Sequence, residues 1–184
     1  MIVTLSGVTG TGKSFFKNAI SKELGFKNLV IVTTRKKRTG EIGGIDKEFV
    51  SEEKFEELKK ENKIVVDFEF LGAKYAYRKD DLVSNTNQVT EVHYNTIYNF
   101  RNNATNVFAI YIIPKDLERA KQELKNRNLA EKVEKDRLKE IDEHVKEYEQ
   151  NKDLQNQFDY VFINDYTEKS KNDLLKIIKE RIDR

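Results

Sequence analysis

The chain contains no cysteine. Disulfides and thiolate metal sites are therefore excluded, and a reducing compartment fits. It also has no apolar run near the roughly 20 residues that a membrane-crossing helix needs. Residues 1–6 are too short and too polar for a secretory signal. The third lack is an excess of charge of one sign. Asp, Glu, Lys and Arg make up 36% of the chain, yet the net charge is only +2. A protein that grips nucleic acid is expected to carry a stronger, clustered basic excess. Together these absences predict a soluble, cytoplasmic protein with no nucleic-acid or membrane partner. Local basic patches are left to serve a small anion.

What is present suffices for one packed domain. The 184 residues are 38% apolar and include eleven Phe and eight Tyr, enough bulk for a core. Strand and helix signals alternate. Residues 2–5 and 29–32 are short apolar runs. Residues 13–24 have helical spacing through Phe16, Ile20 and Leu24 and stop at Gly25. Ser51 reads as the N-cap of a helix over 52–61. In residues 64–70, Ile64, Val66, Phe68 and Phe70 alternate with Asp67 and Glu69, the period of a half-exposed antiparallel strand. Further strands are read at 88–92, 107–113 and 160–163, and helices at 115–127, 131–150 and 168–182. The helix over 131–150 is almost all charge and reads as a solvated face, with His144 as a plain surface residue.

Gly7-Val8-Thr9-Gly10-Thr11-Gly12-Lys13-Ser14 matches G-x-x-x-x-G-K-[ST] in full, between a strand and an amphipathic helix. Glycines there let backbone N–H groups point at phosphate oxygens, and the following helix aims its positive end at the same anion. Lys13 is suited to bridge the β- and γ-phosphates of ATP, and the Ser14 hydroxyl to ligate Mg²⁺. The motif specifies nucleotide binding better than it specifies a reaction.

A second basic cluster follows. Thr33-Thr34-Arg35-Lys36-Lys37-Arg38-Thr39-Gly40-Glu41 places two arginines three residues apart before a glycine turn. By itself this could be a basic surface loop. Two planar guanidinium forks near a phosphate loop are also suited to clamp a second phosphate.

With these residues the sequence resembles the guanylate kinase family. The Thr-Thr-Arg-x-x-Arg-x-Gly-Glu stretch and Phe49-Val50-Ser51 are similar to that family's acceptor loop. Gly72, Tyr75, Arg127, Arg137-Leu138 and the run from Phe158-Asp159-Tyr160-Val161 to Asn164-Asp165 extend the likeness over most of the chain. The resemblance implies a kinase moving the ATP γ-phosphoryl group to a nucleoside monophosphate. Arg35, Arg38 and Tyr75 would hold the acceptor phosphate, with Thr34 beside them and Glu41 supporting the arginines. Arg127 and Arg137 would swing in with a lid, and Asn164 would lie beside the ATP.

The departures gather at the acceptor base. Lys47 stands where the family usually has a tyrosine, and Ile31 where it has a serine. Counting back from Gly72 without a gap puts Val66 at the acid that reads guanine; dropping one residue puts Asp67 there, which can accept from a guanine N–H. The acidic side of that strand, Asp67 and Glu69, is assigned to the acceptor, and Tyr77 replaces a smaller hydroxyl residue. On the strand Val89-Thr90-Glu91-Val92-His93, Glu91 takes the first acidic place, near Mg²⁺, and His93 the second, near the base. The phosphate-handling parts are thus kept and the base-handling parts changed, which points to an altered or less selective purine acceptor.

The expected fold is α/β: a three-layer P-loop NTPase core with a parallel sheet, an inserted mixed-sheet lobe for the monophosphate, and a helical lid. As one domain of residues 1–184, the core would comprise 1–32, 86–126 and 138–184, the lobe 33–85 and the lid 127–137, in a monomer or homodimer. Two other readings stay open. One is a kinase of another small molecule, such as a sugar phosphate. The other is a non-catalytic interaction module, against which the intact Lys13-Ser14 pair speaks.

Overall fold

The computed structural model describes residues 1–37, 40–45, 47–126 and 129–183. From the N-terminus the elements are β1 (Ile2–Ser6), α1 (Lys13–Leu24), β2 (Lys27–Asn28), β3 (Ile31–Thr33), β4 (Lys47–Phe49), α2 (Glu52–Lys60), β5 (Ile64–Phe70) and β6 (Ala73–Arg78). There follow α3 (Lys79–Leu82), β7 (Gln88–Glu91), a 3-10 turn (Tyr94–Thr96), α4 (Ile97–Asn103), β8 (Val107–Pro114), α5 (Leu117–Lys125), α6 (Glu131–Gln150), α7 (Lys152–Gln155), β9 (Tyr160–Asn164) and α8 (Glu168–Ile182).

The first sheet has the order β2-β7-β1-β8-β9 and is parallel throughout. Its strands are apolar at successive positions because both faces are covered. Along β8, Phe108, Ile110 and Ile112 pack with Phe16, Ile20, Leu174 and Ile178 of α1 and α8. The alternate residues Ala109 and Tyr111 pack with Ile97, Phe100 and Tyr148 of α4 and α6. That is the three-layer α/β arrangement read from the sequence. No helix among the described residues is long and apolar enough to cross a membrane.

The second sheet is mixed, with order β4-β3-β6-β5. Helix α2 covers one of its faces through Phe55 and Leu58, which pack with Val32, Ile64 and Ala76. Ser51 caps α2 as the sequence predicts, its side chain accepting from the Lys54 N–H. The strand read at residues 29–32 shares only Ile31 and Val32 with β3, and a separate short strand precedes it. Lys27 and Asn28 pair with β7 in the first sheet, and Ile31–Thr33 joins the second. A short apolar run does not say which sheet it will pair with.

Two features correct the reading of side-chain direction. Strand β5 carries a bulge between Val65 and Phe68, and Val66 has φ 57°. One extra residue reverses the facing of everything after it. Phe68 lies opposite Tyr75 and Glu69 opposite Lys74. Phe68 and Phe70 are therefore on the far side of the sheet from α2. Helix α6 is not a uniformly solvated rod. Ile141, His144 and Tyr148, at spacings of three, four and seven, form a buried stripe, and His144 is only 3% exposed.

Candidate active site

The phosphate loop runs from the end of β1 into α1. Gly12 sits in the left-handed region at φ 83°, ahead of Lys13 as the first helical residue. A side chain at Gly10 would bring its Cβ to 2.1 Å from the Ala120 carbonyl oxygen, so only glycine lets α5 approach the loop so closely. The loop is braced from behind. Asn164 Nδ2 donates to the Thr11 carbonyl at 3.0 Å while its Oδ1 accepts from the Tyr166 N–H at 2.8 Å. The Tyr166 hydroxyl donates to the Gly10 carbonyl at 3.1 Å. Lys13 Nζ curls over the loop and donates to the carbonyls of Gly7 (2.8 Å) and Val8 (2.7 Å).

This loop lines one cleft of about 780 Å³, within the size range of small-molecule sites. Gly7, Thr9, Gly10, Gly12, Lys13 and Ser14 line it. Val8 and Thr11 do not: both are buried, and Val8 packs with Leu124 and Ile141. Their contribution to a phosphate would come from the backbone alone. Asn164 lines the cleft too, with its amide already engaged in bracing the loop.

The second sheet brings Arg35, Lys47 and Tyr75 to the same cleft. The Arg35 guanidinium donates to Glu41 Oε1 at 2.6 Å and to the Lys36 carbonyl at 2.8 Å, and it lies over the Phe49 ring at 5.5 Å. These contacts fix the position of the fork. Burial pulls the Lys47 ammonium below the ordinary lysine value, with Lys17 and Arg35 adding to it against Glu91 and Glu41. Arg38 and Arg127 lie outside the described residues.

Ser14 and Glu91 meet at the floor of this arrangement, the Ser14 hydroxyl donating to Glu91 Oε1 at 2.8 Å. A hydroxyl and a carboxylate held together are hard oxygen donors of the kind Mg²⁺ takes alongside phosphate oxygens and water. The residues present therefore fit that ion.

At the other end the cleft is aromatic. Phe68 stacks on Tyr75 at 5.2 Å, and His93 lies 5.0 Å from Phe70 and 4.6 Å from Tyr94. Helix α6 closes this end with Arg137, Glu140 and His144. Arg137 lies 4.9 Å over the Phe70 ring and bonds Glu140 at 3.2 Å. His144 stacks on Tyr94 at 3.4 Å, and its Nε2 is 3.0 Å from the Tyr111 hydroxyl. Burial, with the Lys13 charge adding, holds His93 at about 4. Burial, then His93 and Lys13, holds His144 at about 3. Both imidazoles are neutral near pH 7.

Four residues assigned to the acceptor do not reach the cleft. Asp67 is salt-bridged to Lys59 of α2, and Glu69 is exposed on the same side of the sheet. The bulge at Val66 put them there. Tyr77 is fully buried, packed edge-on against Phe100 at 4.9 Å, and its hydroxyl donates to the Glu91 carbonyl at 3.0 Å. Thr34 accepts from the Lys74 N–H at 3.0 Å and so closes the backbone between β3 and β6. Conversely, the sequence reading missed Phe70, Tyr94, Glu140 and His144. The last two could have been found from their spacing of three and seven residues after Arg137.

The sequence model of the guanylate kinase family matches residues 1–181. A guanylate kinase of Rickettsia felis is 32% identical over 170 residues, covering 90% of this chain and 85% of that one. One from Rickettsia prowazekii is 30% identical over 171 residues, covering 90% and 83%. Among solved structures, the guanylate kinase of Anaplasma phagocytophilum superposes with a TM-score of 0.74 at 22% identity, covering 98% of this chain and 85% of that one.

Proposed function

The chain belongs to the guanylate kinase family, and from that premise we propose that it transfers the γ-phosphoryl group of ATP to a nucleoside monophosphate: GMP, dGMP or a related nucleotide. The observation that carries this reading is the single cleft lined by both the phosphate loop and the Arg35, Lys47 and Tyr75 set. A phosphate-binding loop alone would suit a hydrolase equally well. A second cationic pocket in the same cleft suits an acceptor that is itself a phosphate ester.

The chain's own groups divide the work. Loop N–H groups and the start of α1 bind the donor phosphates. Lys13 exchanges its carbonyl partners for phosphate oxygens. Arg35, already oriented by Glu41, grips the acceptor phosphate through two parallel hydrogen bonds, with Lys47 adding charge and the Tyr75 phenol a donor. Arg137 neutralises charge that develops on the transferring group, and Arg127 is assigned the same task. Ser14 and Glu91 would hold Mg²⁺, which supplies charge neutralisation at the donor phosphates when bound. No covalent intermediate is required: the chemistry is positioning and charge stabilisation.

The direct test mixes the protein with MgATP and each common ribo- and deoxyribonucleoside monophosphate, following ADP release and the diphosphate product by chromatography. Acceptor-dependent release with a matching diphosphate is the expected result. ATP binding with no product from any monophosphate would refute the proposal.

A further inference from the structure

The aromatic end of the cleft differs from the phosphate end in what it can offer a ligand. Every carboxylate lining the cleft among the described residues is already engaged. Glu91 accepts from Ser14, Glu123 from Arg119, and Glu140 from Arg137, while Glu168 pairs with Lys171. Only Glu140 of these stands at the aromatic end. Guanine's pairing edge presents N1–H and N2–H side by side, two donors that a single uncommitted carboxylate could take together. Among the described residues, no such group lines that end of the cleft.

Two imidazoles stand in its place, brought by different elements. His93 follows β7 and has aromatic rings on several sides. His144 comes from α6, stacked on Tyr94. Neutral imidazole carries one donor and one acceptor nitrogen. On His144 the Nε2 is taken by Tyr111. A phenol can donate to that nitrogen or accept from it, so the remaining Nδ1 can be the donor or the acceptor. The pair is therefore indifferent to whether an incoming edge offers N–H or a lone pair, and aromatic stacking is equally tolerant of base identity.

We propose that His93 and His144 read the acceptor base, and that this reading admits 6-oxo and 6-amino purine monophosphates alike. The inference rests on the phosphotransfer reading above and names the substrate class of that same site.

The test measures kcat/KM for GMP, IMP and AMP with MgATP saturating, in the wild type and in His93→Asp, His144→Phe and His144→Gln. The wild type should keep the three purines within about 10²-fold of each other, against the roughly 10⁴–10⁵-fold that a site matched to one hydrogen-bonding edge achieves. His93→Asp supplies a paired acceptor and should raise the GMP-to-AMP ratio at least about tenfold with the KM for ATP unmoved. His144→Phe keeps a ring on Tyr94 but loses both nitrogens, so it should raise the acceptor KM for all three purines and spare kcat. His144→Gln retains a donor and an acceptor and should stay near the wild type. A wild-type preference for GMP over AMP of about 10⁴ would overturn the proposal. So would folded His93→Asp and His144→Phe proteins with unaltered acceptor KM values and ranking. Should either variant fail to show a cooperative melt, the wild-type spread decides alone. Turnover with none of the purines would bring down the kinase reading as well, a result distinct from a narrowly selective kinase.

Discussion

The Ser14 hydroxyl donates to Glu91 Oε1 across 2.8 Å, joining residues 77 positions apart in the chain. The contact follows from the parallel pairing of β1 with β7, which sets Leu5 opposite Glu91. Strand register thus delivers a carboxylate to the first turn of the helix that follows the phosphate loop. Two oxygen ligands converge there without any local sequence motif linking them.

If that pair holds Mg²⁺, Glu91→Gln should keep the hydrogen bond to Ser14 and lose the charge. Activity should then need at least about tenfold more Mg²⁺ for half-maximal rate. Titrating turnover against Mg²⁺ checks this; an unchanged dependence would remove Glu91 from the role.

The Lys13 ammonium donates to the loop carbonyls of Gly7 and Val8. Lys13→Ala should lower kcat by about 10²–10³-fold, the usual cost of removing one preorganised charge donor. Steady-state kinetics with the wild type's melting temperature as control is the measurement. Near-normal turnover would discard the active site assigned above.

Arg35 is held on two sides, by Glu41 and by the Phe49 ring. Arg35→Ala should raise the acceptor KM by at least about tenfold and leave ATP affinity intact, because its fork is assigned to the acceptor phosphate. Arg35→Lys should rescue little of this, since an ammonium neither forks nor stacks. An equal loss of ATP and acceptor binding would contradict the assignment.

Two residues that the sequence placed in the acceptor site should behave as structure. Tyr77→Phe removes the phenol donor from the Glu91 carbonyl and leaves it the longer 3.5 Å bond from the Thr90 hydroxyl, a loss of about 0.5–1.5 kcal/mol. At about 2–4 °C per kcal/mol for a chain of this size, the melting temperature should fall by a few degrees. Asp67→Asn weakens an exposed pair with Lys59 and should change little. Neither should alter the ranking of acceptor bases, and a changed ranking in a folded Asp67→Asn protein would restore Asp67 to the site.

How far the sequence carried depended on how local the signal was. The phosphate loop was readable because its chemistry needs eight contiguous residues and nothing distant. Helices α1, α6 and α8 and strand β5 have the bounds the sequence predicts, α1 from apolar spacing ending at Gly25 and β5 from alternation. Strand β6 and helix α4 were not read, since their polar and apolar residues keep no clean period. The facing of β5 was misread for a different reason. A bulge at Val66 is a backbone event that no side-chain pattern announces, and it turned Asp67 away from the cleft while turning Phe68 toward it. His144 was hidden by composition. In a helix of mostly charged residues, one buried histidine resembles its neighbours until packing shows otherwise.

The two histidines make stability depend on pH with a definite sign. Both folded-state values lie below the ordinary imidazole value, about 4 for His93 and about 3 for His144. The unfolded chain therefore binds more protons than the folded one once the pH falls below the unfolded value of about 6.5. Stability is intact above that value and declines as the pH is lowered through the interval down to about 4. Two of the three charges bearing on His93 act in the same direction as burial. Lys13 and Arg137 oppose its protonation, and only Glu147, already accepting from Tyr94, favours it. Between pH 7 and pH 5 the melting temperature should drop by several degrees. His144→Phe keeps the stack on Tyr94 but cannot take up a proton, so its melting temperature should fall less over the same range. Parallel slopes for the two proteins, measured by thermal melts in matched buffers, would mean that His144 takes up a proton as readily in the folded chain as in the unfolded one, and that burial does not hold its imidazole neutral.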